Sequence, residues 1–192
     1  MNQKSNLISQ LPQDLLQAWE THMQCEFETK DVDGTMATMV DPVNQPEICE
    51  DAHINNAATM MGGVGLSAIR NFYTNYFIHQ LPKDTQTDLI SRTIGSDQIV
   101  DELIFKFTHS QTMDWILPGV SPTYKYVEVA LVVIIKFHEG KVLHEHIYWD
   151  QASVLVQIGL INPKNLPVVG IEGAQKMRDP KAHASNLLVL KN

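Results

Sequence analysis

The sequence lacks the features that mark nucleic-acid-binding and membrane proteins. Its 14 lysine and arginine residues are outnumbered by 22 aspartate and glutamate residues, which gives a formal net charge of -8. Nucleic acids and anionic membrane surfaces attract basic proteins, so this balance argues against both as partners. No apolar run approaches the ~20 residues that a membrane-spanning helix needs, and the first residues form no signal-peptide pattern.

Cysteine is also scarce, and several cofactor and nucleophile motifs are missing. Cys25 and Cys49 are too few for a disulfide framework and have no metal or redox spacing, so we expect a cytoplasmic protein. The segment Met60-Met61-Gly62-Gly63 is not a phosphate-binding loop. A serine-hydrolase elbow, G-x-S-x-G, does not occur. We therefore predict no cofactor.

Two amphipathic helices are predicted in the first half of the chain. The first runs from about Pro12 to Glu28, with an apolar stripe that includes Trp19 and is typical of a core-facing helix. The second runs from Leu66 to about His79 and carries an aromatic face. Such a face is usually core, but the hydroxyl of Tyr76 would contact a ligand if it faces a cavity.

The segment from Asp41 to Gly65 has no clear period and is predicted as a long connection with a short strand near His53. Connections of this length in compact domains are often functional. His53, Asn55 and Asn56 are its polar candidates. Local hydrogen bonding in turns is the simpler explanation for the two asparagines.

From Thr87 the period changes to two residues, which predicts strands. Phe107 and His109 share one face of the second strand. These strands follow the helices, so we predict an α+β fold with an antiparallel meander. The predicted strands are Asp88 to Ile94, Ile99 to His109, Val127 to Phe137 and Lys141 to Trp149.

The strand from Val127 to Phe137 is apolar on both faces. Helices would cover one face, and large exposed apolar patches are uncommon on monomers. A homodimer that packs sheet on sheet is the simplest way to cover the other face.

The segment from His144 to Gly159 begins as a strand and ends as a helix. His144, His146, Tyr148 and Asp150 share a parity, so they would line one face and, if that face is concave, converge on a cavity. A simpler alternative remains open. Asp150 would only cap the following helix, and the histidines would lie in solvent on the open face of the sheet.

Metal binding is a second possibility for these histidines. His144 and His146 alternate as strand ligands can, and His109 or Asp150 would complete a set. Two histidines and a carboxylate without a defined motif are a weak pattern, so our prediction includes no metal.

Four segments in the second half of the chain form a recognisable set of motifs. They are Leu117-Pro118-Gly119-Val120-Ser121-Pro122-Thr123, Gly140-Lys141, His146-Ile147-Tyr148-Trp149-Asp150 and Leu155-Val156-Gln157-Ile158-Gly159-Leu160. They resemble the pattern G-x-x-P-T-G-K, G-K-I, E-x-W-x-x-x-D and Q-L-G of SnoaL-like polyketide cyclase relatives within the nuclear transport factor 2-like superfamily.

This resemblance implies a cone-shaped fold, with N-terminal helices packed on a curved antiparallel sheet and a pocket between them. It implies that Asp150 is the acid/base residue at the end of the last strand. Pocket histidines assist in the cyclases, and His109 and His146 are our choices by parity. The side chains expected to contact substrate are Tyr148, Trp149, Trp115, His53, Tyr76 and Phe107.

The predicted function is that of a cofactor-free acid/base enzyme, of cyclase, isomerase, lyase or hydrolase type, acting on a small, partly apolar carbonyl compound. Two alternatives use the same fold: a non-catalytic small-ligand-binding protein and a dimeric scaffold. We assign residues 1–161 to a single SnoaL-like α+β domain and residues 162–192 to a C-terminal extension. That extension would wrap the body, contact a partner subunit or be mobile.

Overall fold

The computed structural model describes residues 3–189, with side chains from Gln13 onward. The chain begins with helix α1 (Gln3–Met23), continues through a π-helical turn (Gln24–Thr29) and reaches helix α2 (Val32–Thr38). Because α1 begins at Gln3, Pro12 lies inside it rather than at its start, as the sequence had suggested.

The second predicted helix is also built from several windings. Helix α3 (Leu66–Phe72) passes into a π-helical turn (Tyr73–Phe77) and a short 3₁₀ turn (Ile78–Gln80). Each of the two long helical segments therefore contains a π-helical turn. Such turns are rare and often occur at functional sites.

The six strands form one open sheet in the order β2-β1-β6-β5-β4-β3. Strands β3 to β6 form the predicted antiparallel meander, whereas β1 joins the sheet parallel to β6. The α+β prediction is confirmed. The strands are β1 (His53–Asn56), β2 (Met61–Val64), β3 (Gln86–Ile94), β4 (Gln98–Thr108), β5 (Tyr126–His138) and β6 (Lys141–Trp149).

The core lies between the helices and the inner face of the sheet. Alternate residues of β5, from Val127 to Phe137, are buried there, together with Phe105 of β4 and Ile147 of β6. Trp19 of α1 packs against this face and is buried, as predicted. The inner face is therefore the apolar one.

The C-terminal segment, from Asp150 onward, covers part of the outer face. Asp150 caps helix α4 (Gln151–Gln157), and Gly159 follows it with a positive φ, as the sequence predicted. Helix α5 (Glu172–Arg178) packs on β5, and Arg178 pairs with Glu128 at 2.8 Å. In the described part of the chain, no helix combines the length and apolarity that crossing a membrane requires.

Candidate active site

A cavity of about 70 Å³ lies between α1, the helical segment after α3, and the inner face of the sheet. Since ~10–15 Å³ holds one water molecule, it has room for about five water-sized groups. Its walls are mostly aromatic and aliphatic. Its polar lining residues are Glu26, Asn56, Tyr73, Thr87 and Glu145. Thr87, on the edge strand β3, is the exposed member of this set.

Glu26, Tyr73 and Glu145 line the polar end of this cavity and form a buried cluster with His22, which does not itself line it. His22 Nε2 lies 3.2 Å from Glu26 Oε1, 3.2 Å from Glu145 Oε1 and 3.1 Å from the Tyr73 hydroxyl. The Tyr73 hydroxyl donates to Glu145 Oε1 at 2.7 Å. Four elements thus place one polar group each around one point: α1, the π-helical turn that follows it, the π-helical turn after α3, and β6.

The orientation of the His22 ring is fixed by its other nitrogen. The Thr38 hydroxyl donates to the carbonyl of Thr35 at 2.6 Å, so its oxygen is left to accept a hydrogen bond. His22 Nδ1 lies 2.6 Å from that oxygen and must therefore be the donor. The Trp19 indole stacks on the ring with centroids 5.4 Å apart.

Burial and charge set the protonation states of the cluster. Burial alone would lower the pKa of His22, but the carboxylates of Glu26 and Glu145 raise it to about 10. Burial raises the pKa of Glu26; the charge of His22 opposes this, and that of Glu145 adds to it. One imidazolium can neutralise one carboxylate, so the second carboxyl group tends to retain its proton.

A second ion pair, between Arg92 and the buried Asp101, contacts α1 through Trp19. Asp101 accepts two hydrogen bonds from the guanidinium of Arg92, both at 2.6 Å, and a third from Trp19 Nε1 at 2.8 Å. Because Trp19 stacks on His22, this network also supports one face of the imidazole.

Of the nine predicted site residues, Trp115 alone lines the cavity. Its ring packs edge-on against Phe77, Phe105 and Trp149. Its indole N–H is buried and has no hydrogen-bond partner among the described residues. A donor is therefore available beside the cavity wall.

Asp150 lies outside the cavity. Its side chain is exposed and accepts from the backbone N–H groups of Ala152 at 2.9 Å and Ser153 at 3.3 Å. Asp150 is therefore a helix cap, as in the simpler alternative. Its position does not support the catalytic role predicted for it.

The prediction that His144, His146, Tyr148 and Asp150 converge on a cavity is wrong. Glu145 and Ile147 line the cavity, so the residues of opposite parity project from the outer face. The sequence argument placed the polar face inward, whereas the helices cover the apolar face. Tyr148 is 45% exposed on the outer face.

His53 meets two of these histidines on the outer face, because β1 runs beside β6. His53 Nε2 lies 2.8 Å from His146 Nε2, and its ring stacks on His144 with centroids 4.5 Å apart. Burial and the neighbouring His53 and His146 lower the pKa of His144 to about 4. Burial and His53 also lower the pKa of His146.

Other predicted residues lie on the inner side of the sheet or at its margin, but away from the cavity. His109 is buried with its Nδ1 accepting from the backbone N–H of Thr123 at 3.3 Å, and burial lowers its pKa. Phe107 is core, and Trp149 donates to Gln151 at 2.6 Å. Tyr76 is 37% exposed.

The cluster residues that sequence reasoning missed had a detectable pattern. His22 and Glu26 continue the stripe of α1 that contains Leu15 and Trp19, at spacings of three and four residues. Titratable residues inside an apolar stripe are unusual and call for buried partners. Glu145 shares its parity with Ile147, which marks it as inward-facing.

The sequence matches no family model and no curated protein. Solved structures do match the fold. TsrD from Streptomyces laurentii aligns with a TM-score of 0.57 and 15% identity over 77% of this chain and 96% of its own. A SnoaL-like protein from Jannaschia sp. CCS1 aligns with a TM-score of 0.55 and 16% identity over 77% of this chain and 94% of its own.

A third structure, from Catenulispora acidiphila, has a ketosteroid isomerase-like fold and was solved in complex with trimethylamine. It aligns with a TM-score of 0.51 and 12% identity over 76% of this chain and 92% of its own. The chain has the nuclear transport factor 2-like fold. The fold predicted from the motifs is thus confirmed, and the cavity described above lies between its helices and its sheet.

Proposed function

We propose that this protein is a cofactor-free acid/base enzyme that acts on a small, partly apolar carbonyl compound in the interior cavity. The observation that carries the proposal is the cluster of His22, Glu26, Tyr73 and Glu145 at the polar end of an otherwise apolar cavity. A buried carboxyl group with a perturbed pKa, as Glu26 has, is typical of the sites of general acids and bases.

The two carboxyl groups suit different roles. In the proposed reaction, the Glu145 carboxylate takes a proton from the carbon next to the substrate carbonyl. The protonated carboxyl group of Glu26, whose pKa is raised by burial, donates a hydrogen bond to the carbonyl oxygen and stabilises the enolate that forms. Glu145 then returns the proton to the substrate at the same or another carbon.

The surrounding residues would position these groups rather than react. His22 holds both carboxyl groups, and the hydroxyl of Thr38 holds His22. The unpartnered indole N–H of Trp115 is a candidate donor to a polar atom of the substrate. The proposal thus moves the acid/base role from Asp150, His146 and His109 to two other residues: Glu26 of the π-helical turn after α1 and Glu145 on the inner face of β6.

The size of the cavity restricts the substrate class. At about 70 Å³ it suits a molecule of few non-hydrogen atoms. Trimethylamine, bound by the Catenulispora neighbour, is a ligand on this scale. We therefore expect small ketones, aldehydes or 1,3-dicarbonyl compounds to be accepted before polycyclic ones.

The experiment follows exchange of α-hydrogens for deuterium, since this step precedes any cyclisation or isomerisation. The protein is incubated in D2O with a panel of small carbonyl compounds, and loss of the α-hydrogen signals is followed by NMR. We expect the wild-type protein to accelerate exchange in at least one compound. The exchange rate with Glu145→Gln should be at least 100-fold lower. Glu139→Gln, an exposed glutamate in the turn before β6, is the matched control.

Binding without exchange would favour the first alternative, a non-catalytic ligand-binding protein. One observation supports that alternative: the polar groups of the cluster already satisfy one another. Ligand-induced shifts in the NMR spectrum, with no exchange above the Glu145→Gln background for any compound bound, would overturn the enzymatic proposal. If the protein showed neither binding nor exchange, the second alternative, a dimeric scaffold, would be favoured.

We further propose a homodimer that packs through the outer face of the sheet. Val132 and Tyr148 remain 36% and 45% exposed there, beyond the area that α5 covers. Light scattering at micromolar concentration should give twice the mass of one chain, and Val132→Glu should give a monomer. A wild-type monomer would contradict this arrangement.

A cytoplasmic location is the remaining proposal. It rests on Cys25 and Cys49, which are not joined in a disulfide. Cell fractionation would test it directly.

A further inference from the structure

The outer face of the sheet carries a second cluster of titratable side chains that the proposed reaction does not use. His53 of β1 is paired with His144 of β6, and His146 follows two residues later on the same face. One ring nitrogen from each of the three lies within 4.8 Å of the others. All three side chains are half-buried in the single chain.

We propose that His53, His144 and His146 form a binding site for a divalent transition-metal ion of the zinc type. Imidazole nitrogens are preferred ligands of Zn²⁺, and a three-histidine set with a fourth position open to water is a common arrangement.

The geometry suits one shared ion. Two nitrogens bound to zinc at ~2.0–2.1 Å in a tetrahedral site lie about 3.3 Å apart. His53 Nε2 and His146 Nε2 are separated by 2.8 Å, so a movement of a few tenths of an ångström would admit the ion. The ring of His144 stacks on both others with centroids 4.5 Å away, and rotation about its side chain would direct a nitrogen to the same point.

One ligand is already held in the form that a metal requires. His53 Nδ1 lies 2.6 Å from the carbonyl oxygen of Asp51. A carbonyl only accepts hydrogen bonds, so Nδ1 carries the hydrogen and the lone pair of the neutral ring is on Nε2, facing His146. A backbone carbonyl that orients a histidine in this way is typical of metal ligands.

A lysine beside the site has an acidic partner of its own. Lys136 lies opposite His144 in the sheet, and its ammonium group pairs with Asp97. Among the described residues, a second cluster of suitable ligands, His22, Glu26 and Glu145, lies at the cavity and is a poorer candidate. Both nitrogens of His22 are engaged there, and its residues are fully buried.

Zinc titration of the full chain, purified without a polyhistidine tag and stripped with a chelator, tests the site. Isothermal titration calorimetry should give one Zn²⁺ per chain. His53→Gln and His146→Gln should each weaken binding at least tenfold. His138→Gln, which replaces a histidine of β5 outside the cluster, should leave the affinity unchanged.

The identity of the ligands is tested on wild type, so the result does not depend on how well the variants fold. X-ray absorption of the zinc-loaded chain should show three imidazole ligands, and Co²⁺ should give the visible absorption of a four-coordinate site. No binding at 100 μM zinc, or a spectrum with one imidazole and carboxylate oxygens, would overturn the proposal. One zinc per two chains would also overturn it, because histidines from two copies would then share the ion.

Discussion

Tyr73 donates its phenolic hydrogen to Glu145 Oε1 at 2.7 Å, with both side chains buried. This bond joins the turn after α3 to β6 across the polar end of the cavity. Tyr73→Phe would remove the donor while keeping the ring. We expect a loss of ~1–2 kcal/mol in the free energy of unfolding, measured by urea denaturation, because a buried carboxylate loses a partner.

The same substitution tests the reaction. Without the Tyr73 hydroxyl the Glu145 carboxylate is less well held, and we expect about a tenfold fall in deuterium exchange. Tyr148→Phe, which removes a hydroxyl from the outer face, should change neither quantity. Equal effects of the two substitutions would argue against a specific role of Tyr73.

The pKa of His22 predicts how stability depends on pH. Its folded value is about 10, against 6.5 in the unfolded chain. A raised pKa means that the folded chain holds the proton more tightly. The stabilisation is therefore complete below pH 6.5 and is lost as the pH rises towards 10. Glu26, with its raised pKa, acts in the same direction from a lower starting pH.

We expect the free energy of unfolding to fall by up to ~4 kcal/mol between pH 6.5 and 10, since each unit of pKa corresponds to ~1.4 kcal/mol. Urea denaturation across this range provides the measurement. His22→Gln should flatten the profile, whereas His138→Gln should preserve it. A flat profile in wild type would show that His22 is neutral in the folded chain.

Asp150 gives a test that separates capping from catalysis. Asp150→Ala should cost ~1 kcal/mol of stability, because two backbone N–H groups of α4 lose their acceptor, while Asp150→Asn should cost little. Neither substitution should alter deuterium exchange. A tenfold loss of exchange in Asp150→Asn, with unchanged stability, would instead restore the catalytic role predicted from the motifs.

Asp101 is expected to be among the residues most sensitive to substitution. Asp101→Ala would leave the guanidinium of Arg92 and the indole N–H of Trp19 without their shared acceptor. Breaking a buried ion pair in this way typically costs ~3–5 kcal/mol. Asp97→Ala removes a half-exposed partner of Lys136 and should cost at most ~1 kcal/mol. Thermal or urea denaturation of the two variants gives the comparison.

The strands and the helix after Asp150 were predictable because their signals are local. A period of two located β3 to β6 closely, and the Asp150 cap and Gly159 bounded α4. It was harder to predict which face of β6 points towards the cavity. Its histidines suggested a polar cavity, whereas the helices pack on the side that carries Ile147, and Glu145 lies on that side with it.

The features that could not be predicted depend on contacts between segments that are distant in the sequence. His53 reaches His146 only because β1 pairs in parallel with β6, and no local pattern indicates that pairing. Tyr73 lies in the segment whose aromatic face is predicted to be core. Its ring is buried, but its hydroxyl also donates to Glu145. A stripe predicts burial of a ring without predicting the partner of its polar atom.

The π-helical turns at Gln24–Thr29 and Tyr73–Phe77 help to decide whether other proteins with this fold share the activity. Glu26 and Tyr73 both belong to these widened turns. Deleting one residue from either turn would restore ordinary winding and swing the following side chains by about 100° around the axis. A relative could therefore keep every strand, and even these four amino acids, yet lack the constellation, so chain length within two short turns is a better guide to shared chemistry than overall resemblance.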